Sequence, residues 1–149
     1  MTVWIFFLNM KPFYESRQLR FSCTRCGECC IASGDYYVFL SAQEAEKIRR
    51  FLGLSRSWFR RRYLERLETG DMVASSGQDD RCVFLDRDGR CRIYPVRPLQ
   101  CRTYPFWPEV VHSASAWRAE AERCEGINCG SVVPVDRIRR RVTACLKQP

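Results

Sequence analysis

Four of the ten cysteines fall within eight residues, Cys23, Cys26, Cys29 and Cys30, in the run FSCTRCGECC that begins at Phe21. The spacing Cys23-x-x-Cys26-x-x-Cys29 equals the first three ligands of a bacterial ferredoxin-type run, with Cys30 added directly behind the third. Two intervening residues give the tight return by which each sulfur approaches iron or zinc at ~2.3 Å, so spacing alone does not choose the metal. Gly27 permits a positive φ that turns amides inward toward sulfur. Adjacent side chains diverge from an extended backbone, so Cys29 and Cys30 are expected to serve two metals or two edges of one cluster.

Four further cysteines, Cys82, Cys91, Cys101 and Cys124, each lie in a turn or hairpin sequence. The eight therefore divide into two groups of four, expected to converge in space. Cys145 falls on the apolar side of a predicted helix and reads as core. Cys129 stays open between an extra ligand and an incidental thiol. His112 is the only histidine and reads as a hydrogen-bonding or exposed side chain, not a ligand.

Ten cysteines would also suit a secreted disulfide scaffold, but such chains normally carry an export signal and fewer than about 100 residues. The opening Met1–Met10 run (MTVWIFFLNM) has no basic region before it and no small-residue cleavage site after it. It is also shorter than the ~20 residues that span a bilayer. It is expected to be a first strand or a loose start over the core, in preference to a membrane-surface anchor, and the location is expected to be cytoplasmic. In a reducing cytosol, clustered cysteines point to metal or redox chemistry.

Lys and Arg number 25 against 17 Asp and Glu, a formal charge of +8. Alone, that favours an anionic partner such as nucleic acid. A divalent metal held by four thiolates carries −2, and two such sites bring +8 down to about +4, which weakens the inference.

The expected fold class is α+β: one small domain of short strands and hairpins with peripheral helices, organised around the cysteines. Its parts are an N-terminal segment 1–20, a cysteine-cluster domain 21–130, and a basic C-terminal helix 131–149 on the same domain. Tyr36–Leu40 reads as a strand. Ser41 and Glu44 have capping-box spacing, with Ala45, Ile48 and Leu52 as the apolar stripe and Gly53 as the stop. A second helix is predicted from about Ser57 to Thr69, with Phe59, Tyr63 and Leu67 inward, Gly70 as its end, and Arg60, Arg61, Arg62 and Arg66 outward. Asp71–Asp80 reads as a loop.

Arg81–Leu85 and Arg90–Tyr94 flank an Asp-Gly turn and predict a hairpin, in a register that pairs Cys91 with a residue near Leu85. Four prolines stiffen Pro95–Pro108 around Cys101. Val110–His112 and Ala116–Arg118 suggest a short strand pair, and Cys124–Gly130 a turn-rich closing segment. Pro134 starts a last helix with Ile138, Val142 and Cys145 inward and Arg137, Arg139, Arg140 and Arg141 outward. No nucleophilic triad, phosphate-binding glycine loop or nucleotide fingerprint is present, so no independent catalytic site is expected.

Five segments together resemble the CxxCxxCC cysteine-cluster family, named for zinc or iron chelation: Phe21–Cys30, Cys82–Leu85 (CVFL), Cys91–Tyr94 (CRIY), Arg97–Phe106 (RPLQCRTYPF) and Cys124–Ile127 (CEGI). The resemblance implies that Cys23, Cys26, Cys29, Cys30, Cys82, Cys91, Cys101 and Cys124 form the chelating set. Two positions depart from it: Glu125 stands where proline is frequent, and Cys129 where glycine or a polar residue is usual. A similar cluster occurs in the much longer flagellin lysine methylases, which suggests a link to protein modification, though no methyl-transfer pocket is visible here.

Arg97 and Arg102 are expected to offset thiolate charge, with Tyr94, Tyr104, Phe106 and Trp107 as an apolar shell. The leading expectation is an iron–sulfur protein, with a 4Fe–4S cluster, in a redox, sensing or enzyme-supporting role. Zinc is the rival cofactor, in a structural module whose arginine faces contact an acidic protein or nucleic acid. A methyl-transfer-related system is a third reading.

Overall fold

The computed structural model describes residues 11–31, 37–77 and 79–147. The expectation for Met1–Met10 lies outside them. In chain order the helices are α1 (Phe13–Ser16), α2 (Ala42–Phe51), α3 (Arg56–Tyr63), α4 (Leu99–Thr103), α5 (Pro108–Val111), α6 (Ala114–Arg123) and α7 (Val135–Leu146). The strands are β1 (Arg20–Phe21), β2 (Leu64–Arg66), β3 (Met72–Ala74) and β4 (Ile127–Val132), so the fold is α+β as expected. Among the described residues no helix is long and apolar enough to cross a membrane. Contacts group Arg25–Arg102 as one unit and Met1–Thr24 with Thr103–Pro149 as another.

In the Arg25–Arg102 unit, α2 begins with the predicted capping box. Ser41 Oγ accepts the Glu44 amide at 3.2 Å, and the Glu44 carboxylate accepts the Ser41 amide at 2.9 Å. Gly53, at φ +65, ends it: the Gly53 amide donates to the Arg50 carbonyl and the Leu54 amide to that of Arg49, a Schellman closure. Ser55 then caps α3 through the Trp58 amide.

The second helix is shorter than its apolar repeat implied. After Tyr63 the chain extends into β2, which pairs antiparallel with β3 as Leu64↔Ala74, Glu65↔Val73 and Arg66↔Met72. Gly70, at φ +91, serves the connecting turn instead of a helix end. Part of the expected 71–80 loop is therefore strand, because Val73 and Ala74 are buried and burying them in the ladder outweighs the weak local signal. The described part of the Tyr36–Leu40 strand is reduced to a bridge, Phe39↔Val73.

Leu40, Ala45, Ile48, Phe59, Tyr63, Ala74, Phe84 and Ile93 form this unit's core. The Tyr63 and Phe84 rings stack at 5.3 Å, nearly parallel. Cys82 and Cys91 pack against the same cluster.

In the other unit β1 pairs antiparallel with β4. The expected strands at 110–112 and 116–118 are helical. Pro108 sits at the start of α5, where its missing amide costs nothing. Ser113 caps α6 by accepting the Ala116 amide at 3.1 Å. The 124–130 segment, read as turns, leads directly into β4. Phe106 is fully buried, edge-on to Phe21 at 5.8 Å and stacked on Trp117 at 5.9 Å. The α7 helix buries Ile138 and Val142 as predicted.

Candidate metal centre

Gly27 adopts φ +82, and a Cβ there would stand 2.3 Å from the Gly89 carbonyl oxygen. Only glycine lets the cysteine loop lie against the Asp86–Gly89 turn. Glu28–Cys30 then coils into one 3₁₀ turn, and the Cys82 amide donates to the Cys30 carbonyl at 2.8 Å. The backbone thus places Cys29 and Cys30 beside Cys82.

The Asp-Gly turn forms as predicted: Asp86 Oδ1 accepts the amides of Asp88 at 3.0 Å and Arg90 at 2.8 Å. Its expected strands shrink to one bridge, Leu85↔Cys91, which is the predicted register. Beyond the bridge each cysteine folds back on its own chain. The Phe84 and Ile93 backbone amides lie near the Cys82 and Cys91 sulfurs two residues before them and favour charge on each sulfur.

Five sulfurs of this unit interact electrostatically: Cys30 with Cys29 and Cys91, and Cys82 and Cys101 with both of those. These contacts run across the two groups of four expected from sequence, and Cys101 is carried by α4 instead of by a loop. Hydrogen bonds from Cys30 lower Cys29 and Cys91 to about 7, against burial and with help from the Arg97 cation. Cys30 is raised by the same bonds. Burial pushes Cys82 up to about 11 and raises Cys101 as well.

Arg97 is held in place by the ring of Tyr94, 3.9 Å from its guanidinium, over which Arg25 also lies at 4.2 Å. Its Nε is buried without a hydrogen-bond partner. Arg102 bonds the Arg97 carbonyl at 3.0 Å and is exposed, so it braces the loop. A narrow cleft of about 20 Å3 opens onto Cys29, Cys30 and Cys82, with Ser76 and Asp80 on its wall.

The remaining cysteines are less gathered. Cys26 is exposed in the same unit. In the other unit Cys23 and Cys129 are exposed and Cys124 is buried. The Ser22 amide donates to the Gly126 carbonyl at 3.0 Å, which sets the entry to Cys23 against the chain leaving Cys124. Tyr104 donates to Glu120 at 2.6 Å and also contacts Cys124, and burial with these two partners holds its hydroxyl protonated. Cys145 is half-buried and donates to Thr103 Oγ1 at 3.1 Å. His112 bonds the Glu109 carbonyl through Nδ1.

Among the described residues no group of three or more Cys, His, Asp or Glu side chains is arranged to hold a metal ion. The donor set nevertheless fits a soft cation: several thiols, amides near sulfur, and an orphaned guanidinium nitrogen beside them. The roles of the Phe84 and Ile93 amides, and the bond the Leu99 amide at the start of α4 donates to the Glu44 carboxylate at 2.7 Å, have no counterpart in the sequence reading. The repeated Cys-x-apolar pattern, CVF and CRI, was the available signal for the first two.

The chain belongs to the CxxCxxCC family, whose model, described as "Putative zinc- or iron-chelating domain", matches residues 22–125. A curated relative, an uncharacterised protein of Methanocaldococcus jannaschii, is 30% identical over 93 residues, 62% of this chain and 48% of that one. The chain thus spans about half the length of that relative. No solved structure matches.

Proposed function

We propose that this protein binds metal through its cysteine cluster and carries an iron–sulfur cluster of the 4Fe–4S kind in a redox, sensing or enzyme-supporting role. What supports the metal reading is the family's description as zinc- or iron-chelating together with the electrostatic coupling of sulfurs from three separate stretches of chain, at Cys29 and Cys30, at Cys82 and Cys91, and at Cys101. The Cys23-x-x-Cys26-x-x-Cys29 run matches the first three ligands of a ferredoxin-type run, which supports the iron–sulfur reading, and zinc, which accepts the same spacing, is its rival. Cys23, Cys26 and Cys124 complete the proposed ligand set. When bound, such a cluster supplies one-electron chemistry.

The chain's own contribution is to hold the sulfurs. Cys30 and the Ile93 amide favour charge on Cys91, the Phe84 amide does so on Cys82, and Arg97 offsets the charge that accumulates. Native mass spectrometry of anaerobically purified protein, with acid-labile sulfide analysis, tests this. Iron and sulfide in stoichiometric amounts, with reducible visible absorption, are expected. Colourless protein with stoichiometric zinc overturns the iron–sulfur assignment, and protein free of any metal overturns metal binding.

A further inference from the structure

A groove of about 320 Å3 lies between α2, α3 and β2 in the Arg25–Arg102 unit, and no cysteine lines it. Phe59, Leu64 and Met72 give it an apolar lining, and Arg56, Arg60 and Arg66 stand around it. Glu46 is already occupied, bonded to Arg49 at 2.8 and 2.9 Å and to Arg50 at 2.9 Å. Arg60 has no carboxylate partner among the described residues, Arg66 bonds the Gly70 carbonyl, and Arg56 sits 3.8 Å from Glu46 while mostly exposed. Arg49, Arg56, Arg60 and Arg66 outnumber Glu46 and Glu65 on its walls, so positive charge remains in excess there.

The groove also borders an open strand edge. On β3 the side away from β2 is covered by the 38–40 segment, through the Leu40 amide to Met72 and the Ala74 amide to Val38. On β2 the backbone of Tyr63 and Leu67 bonds Ser75 and Asp71. The antiparallel alternation turns the amide and carbonyl of Leu64 and Arg66 outward, to an edge unpaired among the described residues. Such an edge is a template for another strand.

We propose that this groove docks an extended acidic peptide of a partner protein, which adds a strand to β2, sets carboxylates on Arg60 and Arg66, and buries an apolar side chain against Leu64 and Met72. A nucleic acid fits less well: the groove's aromatic ring, Phe59, is 3% exposed and offers no stacking face, and the open strand edge pairs with a polypeptide backbone. The proposal is independent of the metal reading.

The test uses the full chain, purified anaerobically with its metal, and a fluorescein-labelled octapeptide of glutamates with leucine at two alternate positions. Fluorescence anisotropy at low and physiological ionic strength measures affinity. Saturable binding is expected, weakened by about tenfold or more in Arg60→Glu and further in Arg60→Glu/Arg66→Glu. Arg61→Glu makes the same charge change outside the groove, where Arg61 lies over Trp58 at 5.8 Å, and should cost less than about twofold. Amide shifts at Leu64 and Arg66 on titration are the expected sign of edge pairing. Equal weakening by Arg61→Glu, no saturable binding, or displacement of the peptide by a thymidine 15-mer that binds more tightly would each overturn the proposal.

Discussion

Two regions of the Arg25–Arg102 unit are held together in opposite ways. From Ser41 to Tyr63 each turn of structure has a local cause: a capping box, an apolar stripe, a left-handed glycine and a second serine cap. In the cysteine region, residues 25–31 and 82–101, regular structure is almost absent, and bridges, 3₁₀ turns and single hydrogen bonds set the path. The first region is specified by backbone preference and apolar burial. The second is specified by where sulfur atoms must end, so its order depends on what those sulfurs bind.

Metal removal should therefore split the two most widely. With the protein kept reduced, chelation is expected to lower hydrogen-exchange protection at Phe84, Cys91 and Ile93 by about a thousandfold or more, while Ile48 in α2 changes far less. Equal loss in both regions would show that the cysteine loop and the helices unfold as one body.

Phe84 is the residue that belongs to both. Its ring stacks on Tyr63 and Phe59, and its amide serves Cys82. Phe84→Ala should cost about 3–5 kcal/mol in denaturant unfolding of metal-loaded protein and also lower metal content. If metal content held while stability fell, the packing and the sulfur array would be separable at this residue.

Two glycines give a finer contrast. Gly27→Ala meets the Gly89 carbonyl in a left-handed conformation and should cost about 1–3 kcal/mol, with metal lost in parallel. Gly53 is also left-handed but faces open space, so Gly53→Ala should cost about 1 kcal/mol and leave metal content unchanged. Equal metal loss from both would mean that the loop's close approach to the turn does not matter.

The same contrast governs what could be read from sequence. The α2 helix was legible to the residue, because the signals at Ser41, Glu44 and Gly53 act within one turn of chain. The pairing of Cys91 near Leu85 was legible too, though the turn closes over three residues, Arg87 to Gly89, inside the Asp86–Arg90 pair. The α3 boundary was not, since Leu67 continues the helical repeat and only the ladder partner at Asp71, unseen locally, draws it into a hairpin. Val110 and Val111 read as strand because their β-branching is visible, while the caps of Pro108 and Ser113 were overlooked. Among the sulfurs, density in sequence marked the run at Cys23–Cys30. The mixing of Cys29 and Cys30 with Cys82, Cys91 and Cys101 depends on long-range backbone bonds that no spacing records.

A hydrogen-bonding side chain, Glu44, also joins the two regions, and it supplies the smallest and most discriminating test. Glu44 closes the capping box of α2 through one carboxylate oxygen and accepts the Leu99 amide at 2.7 Å through the other, at the first residue of the helix that carries Cys101. Gln100 reinforces the tie by bonding the backbone of Tyr37 and Phe39. Ser41→Ala removes only the cap and should cost about 1 kcal/mol with metal affinity unchanged. Glu44→Ala removes both bonds, and should cost slightly more stability while weakening metal affinity by about tenfold, as loss of an orienting hydrogen bond does at other metal sites. Competition with a chromogenic chelator reads the difference. If the two variants bind metal equally, Cys101 is positioned by the prolines around it, and the helices contribute to the cluster nothing beyond a wall to pack against.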